Sequence, residues 1–173
     1  GTTTAIVDPH EICNVTGLDG LRYMLDASKE TALQAFFVVP SCVPSVSFEH
    51  AGAVITAEDI ATVIDHERVV GLGEMMDYPA VIGGEDLVID KIMVAKEAGK
   101  IIDGHSPAVY NEELDAYAAS GIKTDHECET PAELRDRIRR GMYVHLREGS
   151  ACNNVLPLLG GVEKFRTIIE QPL

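Results

Sequence analysis

Six clusters of polar, chemistry-bearing residues recur along this chain, each directly after a short apolar run. Asp8-Pro9-His10-Glu11 follows Thr3–Val7, and Pro40-Ser41-Cys42-Val43-Pro44 follows Ala35–Val39. Gly73-Glu74-Met75-Met76-Asp77 follows Val69–Leu72, and Asp103-Gly104-His105-Ser106-Pro107 follows Lys100–Ile102. Thr124-Asp125-His126-Glu127 follows Gly121–Lys123, and Arg147-Glu148-Gly149-Ser150 follows Met142–Leu146. Imidazole and carboxylate together suit a transition metal such as Zn, Mn or Fe. The same groups serve as general acids and bases.

Glu74, His105 and His126 form the most informative set. The two histidines end successive units at equivalent places, and the glutamate ends the unit before them. A lone histidine is more often structural than a ligand, but an equivalently placed pair with a preceding carboxylate reads as a candidate metal site. Glu74 follows Gly-Leu-Gly, where the missing side chains let backbone or ligand come close. Taken alone it is equally an ordinary acid at a strand end.

His10 and Glu11 are candidates for the chemistry itself or for contact with a substrate, against the plain alternative of a histidine satisfied by its own loop. Ser41 and Cys42 lie between two prolines, so their loop is rigid and reads as shaping a substrate pocket. A nucleophilic Cys42 would need a lowered pKa. Arg147, Glu148 and Ser150 suit either a polar ligand or a structural ion pair. His50, His66 and His145 lack this placement and read as structural.

The elements that must position these groups follow from pattern. The apolar runs are short and mostly continuous, as in strands of a parallel sheet covered on both faces. Helical segments lie between them. Thr56 is a plausible N-cap ahead of Ile60, Val63 and Ile64, with acids in the first turn. Leu87, Lys91, Val94 and Ala95 fall in a helix ended by Gly99, and Leu114 and Tyr117 in one ended by Gly121. Thr130-Pro-Ala-Glu133 predicts a capping box with Pro at the first helical position, and Gly141 ends that helix.

Strand–helix alternation argues for α/β architecture. Polar groups after six successive strands fit the ring of a (β/α)8 barrel better than the single crevice of a doubly wound sheet. No glycine-rich phosphate loop follows any strand. No interior segment reads as a linker, so residues 1–173 are expected to form one domain.

Acidic residues outnumber basic ones, 28 to 14, for a net charge of −14. Such a surface repels phosphate backbones, so no nucleic-acid partner is expected. No run is long and apolar enough to suggest a membrane partner, and a soluble, cytoplasmic protein is the expectation. The four cysteines form no C-x-x-C pair and are expected to be reduced thiols. The chain opens without Met directly into a strand-like run, so the protein is expected to begin earlier.

The six clusters together resemble the adenine deaminase family of the amidohydrolase superfamily. The resemblance rests on Gly1-Thr-Thr-Thr-Ala-Ile-Val-Asp-Pro-His-Glu-Ile, Val39-Pro-Ser-Cys-Val-Pro, Gly71-Leu-Gly-Glu-Met-Met, Ile102-Asp-Gly-His-Ser-Pro, Thr124-Asp-His-Glu and Leu146-Arg-Glu-Gly-Ser, and it runs to about Gly161. It implies a (β/α)8 TIM-type barrel of which this chain holds about six of the eight units, strands two to seven. It also implies a binuclear transition-metal centre of Mn, Fe or Zn, with Glu74 bridging the two ions and His105 and His126 as ligands.

The implied reaction, one of purine salvage and adenine catabolism, is adenine plus water giving hypoxanthine and ammonia. The small-molecule partner is then adenine, and a homo-oligomer of the full-length enzyme remains open. Two features of the superfamily are missing here, a His-x-His pair on strand one and an Asp at the end of strand eight. By the resemblance these would supply two metal ligands and the chief acid/base, so the chain alone is expected to be inactive, an incomplete and weak metal binder. At 173 residues against roughly 250 for a typical barrel it also falls short in length and leaves two unpaired sheet edges. The alternatives are another metal-dependent amidohydrolase acting on a cyclic amide or amidine, or a non-catalytic barrel remnant.

Overall fold

A computed structural model describes residues 1–160 of the chain. In chain order the elements are β1 (Thr4–Val7), α1 (His10–Thr16), α2 (Leu18–Ala27), β2 (Gln34–Val39), α3 (Ala57–Ala61), β3 (Val69–Met75), α4 (Tyr78–Gly83), α5 (Asp86–Glu97), β4 (Ile101–Gly104), α6 (Asn111–Ala119), β5 (Thr124–Asp125), α7 (Pro131–Arg139) and β6 (Tyr143–Val144). Strands β1 to β4 form a parallel sheet in sequence order, and β5 pairs in parallel with β6. The two sheets meet where the Lys123 N–H donates to the Ile102 carbonyl at 3.0 Å and the Gly104 N–H donates to Thr124 Oγ1 at 3.1 Å. Six strands thus follow one another around a curled parallel sheet, part of a (β/α) barrel.

The reason lies in burial. Phe37, Val38 and Val39 of β2 and Val69, Leu72 and Met75 of β3 are buried. The expected cover on both faces holds for the central strands only, since Ile6 of β1, Ile101 of β4 and Tyr143 of β6 are exposed. The covering helices contribute narrow stripes such as Val88, Ile92 and Ala95 of α5, one turn apart on one side. The apolar face of α5 therefore runs through these three, while Leu87 is exposed. Thr56 and Thr130 both close capping boxes, with Asp59 and Glu133 as partners. Gly99, Gly121 and Gly141 follow their helices at φ of 66°, 107° and 75°, a region where a Cβ is strained.

Three expectations are corrected. The segment between β1 and β2 holds two helices that the apolar pattern did not announce. They turn at Gly17, φ 64°, and bury Cys13, Leu21 and Leu25. The third strand continues three residues past Leu72, so Glu74 lies within it and not in the loop after it. The fifth strand begins at Thr124 instead of Gly121, because Ile122 turns into the core and pairing with β6 starts only where Thr124 meets Tyr143.

Close packing of β4 on β5 depends on Gly104. A Cβ there would run into the Thr124 carbonyl oxygen, a backbone atom that cannot rotate aside. Gly104→Ala is therefore expected to lower stability by about 1–3 kcal/mol through overpacking, read as a lower urea midpoint with an unchanged slope.

Candidate metal centre

Glu74 owes its position to an irregularity in β3. Leu72 pairs with Ile102 and Met75 pairs with Gly104, so β3 carries one residue more than β4 over this stretch. A bulge of this kind re-aims a side chain and releases backbone groups from the ladder. The Glu74 N–H is taken by Asp8 Oδ2 at 3.1 Å, and its carbonyl accepts from Ser41 Oγ at 2.6 Å. The ends of β1 and β2 thus clamp the bulged residue. Gly73 leaves room for this clamp, since a Cβ there would meet the Asp8 carboxylate.

His105 and His126 come from the ends of β4 and β5. The His105 N–H donates to Tyr117 Oη at 2.9 Å, and that hydroxyl donates to the Met75 carbonyl at 2.7 Å. The buried phenol therefore ties the end of β4 to the end of β3. Asp125, fully buried beside His126, accepts from the Ser106 N–H (3.2 Å), the Ser106 hydroxyl (2.7 Å), the Glu127 N–H (3.1 Å) and Arg137 Nε (2.8 Å). One carboxylate thus binds the residue after His105 and the residue after His126.

The result is a tight triangle. Glu74 Oε2 lies 3.0 Å from His105 Nδ1 and 3.0 Å from His126 Nε2. The two ring nitrogens are 3.3 Å apart, with the rings edge to face. Three donors held at roughly 2.0–2.2 Å by one ion stand about 3.0–3.5 Å from one another for bond angles between 90° and tetrahedral, and these edges fit that spacing. Glu127 Oε1 lies 3.5 Å from His105 Nδ1 and 3.3 Å from His126 Nε2, and Arg147 holds it at 2.5 and 3.2 Å. On the other side of Glu74, His10 Nδ1 is 3.4 Å from Oε1. His10, Cys42 and Glu74 present ligand atoms within 4.8 Å of one another.

Electrostatics follow from this crowding. Burial pushes the Glu74 carboxyl up, but its hydrogen bonds and charge pairing with His105 and His126 win and hold it well below the usual range. Burial lowers the His126 imidazole, and the bond to Glu74 outweighs it, for a net rise. Pairing with Asp8 lifts His10 to about 9 against the opposing effect of burial. Burial, and then the charges of Asp8 and Glu74, push the Cys42 thiol far up, which disfavours a free thiolate nucleophile.

The structure brings together Glu74, His105, His126, His10 and Cys42. Ser41 is buried and spends its hydroxyl on the Glu74 backbone. Glu11 is largely exposed, with Oε1 3.5 Å from His10 Nε2. Arg147 forms the ion pair with Glu127. Glu148 and Ser150 are exposed in a short turn in which Glu148 bridges Asn153. Asp8 and Glu127 belong to the polar clusters read from sequence but were not singled out there. Arg137 gave no signal, because a buried arginine on an amphipathic helix reads like any solvated one. His66 Nδ1 accepts the Arg68 N–H at 3.1 Å, a structural role. All four cysteines are free thiols.

Imidazole and carboxylate groups converging at the carboxyl ends of barrel strands define a class of α/β part-barrel with a candidate metal-ligand group. The chain belongs to the amidohydrolase family, whose profile matches residues 1–166. It is 57% identical to "Adenine deaminase 2" of Desulfotalea psychrophila and 53% identical to "Adenine deaminase" of Clostridium acetobutylicum, over 94% of this chain and 28% of each relative. It is 50% identical to "Adenine deaminase 2" of Carboxydothermus hydrogenoformans over 95% of this chain and 29% of that protein. The chain therefore spans less than a third of the length of these curated relatives.

Proposed function

We propose that this chain is the metal-binding central part of an enzyme that hydrolyses the exocyclic amine of adenine, releasing ammonia. The observation that carries the reading is the triangle of Glu74 Oε2, His105 Nδ1 and His126 Nε2, with edges of 3.0, 3.0 and 3.3 Å. The names of the relatives supply the substrate. A divalent Mn, Fe or Zn ion held by these three residues supplies, when bound, Lewis acidity and a water of lowered pKa. A second ion on the far side of Glu74 would make the centre binuclear.

The remaining residues orient and shield. Asp8 and Ser41 fix the Glu74 backbone, and Tyr117 fixes that of His105. The Glu127–Arg147 pair closes the side of the triangle opposite His10 and keeps a carboxylate charge beside both imidazoles. Glu11 offers a carboxylate at the exposed edge, beside His10, for proton exchange with solvent. A cavity of about 320 Å³ lies beside Cys42, with Ser41, Met75, Met76, Asp77 and Lys91 also among its lining residues; Glu74, His105 and His126 do not line it. It supports the reading of Ser41 and Cys42 as pocket-shaping groups. Glu148 and Ser150 are given no part in it. None of the described helices is long and apolar enough to cross a membrane. A cytoplasmic place in purine salvage, with a homo-oligomeric full-length enzyme, completes the proposal.

The test uses the full-length protein carrying this segment. Loss of adenine absorbance coupled to ammonia release is expected, abolished by chelation and restored by Mn, Fe or Zn. Turnover of other cyclic amides with none of adenine would assign a different amidohydrolase substrate. Adenine turnover by protein shown to be free of metal would contradict the mechanism.

A further inference from the structure

The geometry points to a second cation position on the far side of Glu74, in which Cys42 supplies a thiolate ligand beside His10. It rests on the reading of Glu74, His105 and His126 as a metal centre. His10, Cys42 and Glu74 of this chain reach this space.

Glu74 divides its two oxygens. Oε2 faces His105 and His126, whereas Oε1 faces His10 Nδ1 at 3.4 Å. A carboxylate with one oxygen toward each of two donor groups is placed to bridge two ions. His10, Cys42 and Glu74 offer nitrogen, sulfur and oxygen atoms that all lie within 4.8 Å of one another. Two buried atoms border the same space without a hydrogen-bond partner among the described residues, His10 Nδ1 and Asp8 Oδ1. They stand 3.4 Å apart. Charge-assisted N–H···O bonds close to about 2.7–2.9 Å, while donors around one ion keep the wider spacing seen here.

Cys42 is buried, free, and has no hydrogen-bonded partner of its side chain among the described residues. A divalent ion entering the space displaces the thiol proton to solvent and forms one metal–sulfur bond, so charge and atoms balance. Sulfur makes this position softer than its neighbour, favouring Co and Zn over Mn.

The full-length protein, stripped of metal and titrated with Co(II), provides the test. Visible ligand-field bands report cobalt on any of these residues, and a near-ultraviolet sulfur-to-cobalt charge-transfer band reports Cys42. The wild type should show both. Cys42→Ser should keep the visible bands, lose the near-ultraviolet band and bind one cobalt fewer per chain. If that variant fails to fold, His105→Ala serves instead, because it weakens the first position and should retain the charge-transfer band. Visible bands without the near-ultraviolet band in the wild type, or a band unchanged by Cys42→Ser, overturn this inference and leave the first position standing. Absence of cobalt uptake overturns both together.

Discussion

Replacing Glu74 by Gln is expected to weaken divalent-metal binding by more than about 100-fold. Loss of an outer partner of a metal ligand typically costs 10–100-fold, and Glu74 is the atom source common to both groups of donors. The amide keeps the size of the side chain but removes its charge, and one orientation turns an N–H pair toward the ion. The fold should survive, because Asp8 and Ser41 hold the Glu74 backbone and not its side chain. Competition with a chromophoric chelator measures the affinity and thermal unfolding checks the fold. An affinity within a few-fold of the wild type, in a folded variant, would remove Glu74 from the centre.

Replacing Arg137 by Met is expected to cost about 3–5 kcal/mol of stability, the range for breaking one partner out of a buried ion pair. Arg137 is fully buried. Its Nε donates to Asp125 at 2.8 Å, its Nη2 to the Ser106 carbonyl at 2.6 Å, and its guanidinium carbon lies 5.9 Å from the centre of the Tyr110 ring. Without it, a buried carboxylate keeps its charge and loses its cation. A second change, Asp125→Asn, should recover part of the loss in a double-mutant cycle.

The pH dependence carries a definite sign. Burial raises the Asp125 carboxyl, but the bonds from Ser106 and Arg137 outweigh it and hold it below 3.8. Its contribution is therefore fully present above the unfolded carboxylate pKa, near 3.9, and fades as pH falls through the lower folded value. The gap between wild type and Arg137→Met should be widest near neutrality and narrow in acid. Urea unfolding at several pH values measures it. A gap that stays constant or widens toward acid would mean that Asp125 is not the group Arg137 stabilises.

Much of this arrangement was legible in the residues. Strand–helix alternation and polar clusters after apolar runs pointed to a barrel, the family resemblance implied that only part of it is present, and equal placement of His105 and His126 after successive runs grouped them with Glu74. Thr130-Pro-Ala-Glu133 announced its helix because capping is local chemistry. What escaped depends on tertiary contact. The bulge that aims Glu74 exists only against β4. The helices α1 and α2 are short, split by Gly17, and the first has no side-chain cap. The pairing of Arg147 with Glu127 spans 20 residues, and that of Arg137 with Asp125 needs a helix folded back over its own strand. Only the folded chain decides such pairs, since each residue alone looks like a surface charge.

The most direct measurement is an anomalous-difference map from crystals of the full-length protein, collected at the absorption edge of the bound metal. A peak about 2.0–2.2 Å from Glu74 Oε2, His105 Nδ1 and His126 Nε2 is the expected result. Metal-replete crystals with no peak among these three atoms, or with the ion bound elsewhere in the barrel, would contradict the assignment of the centre.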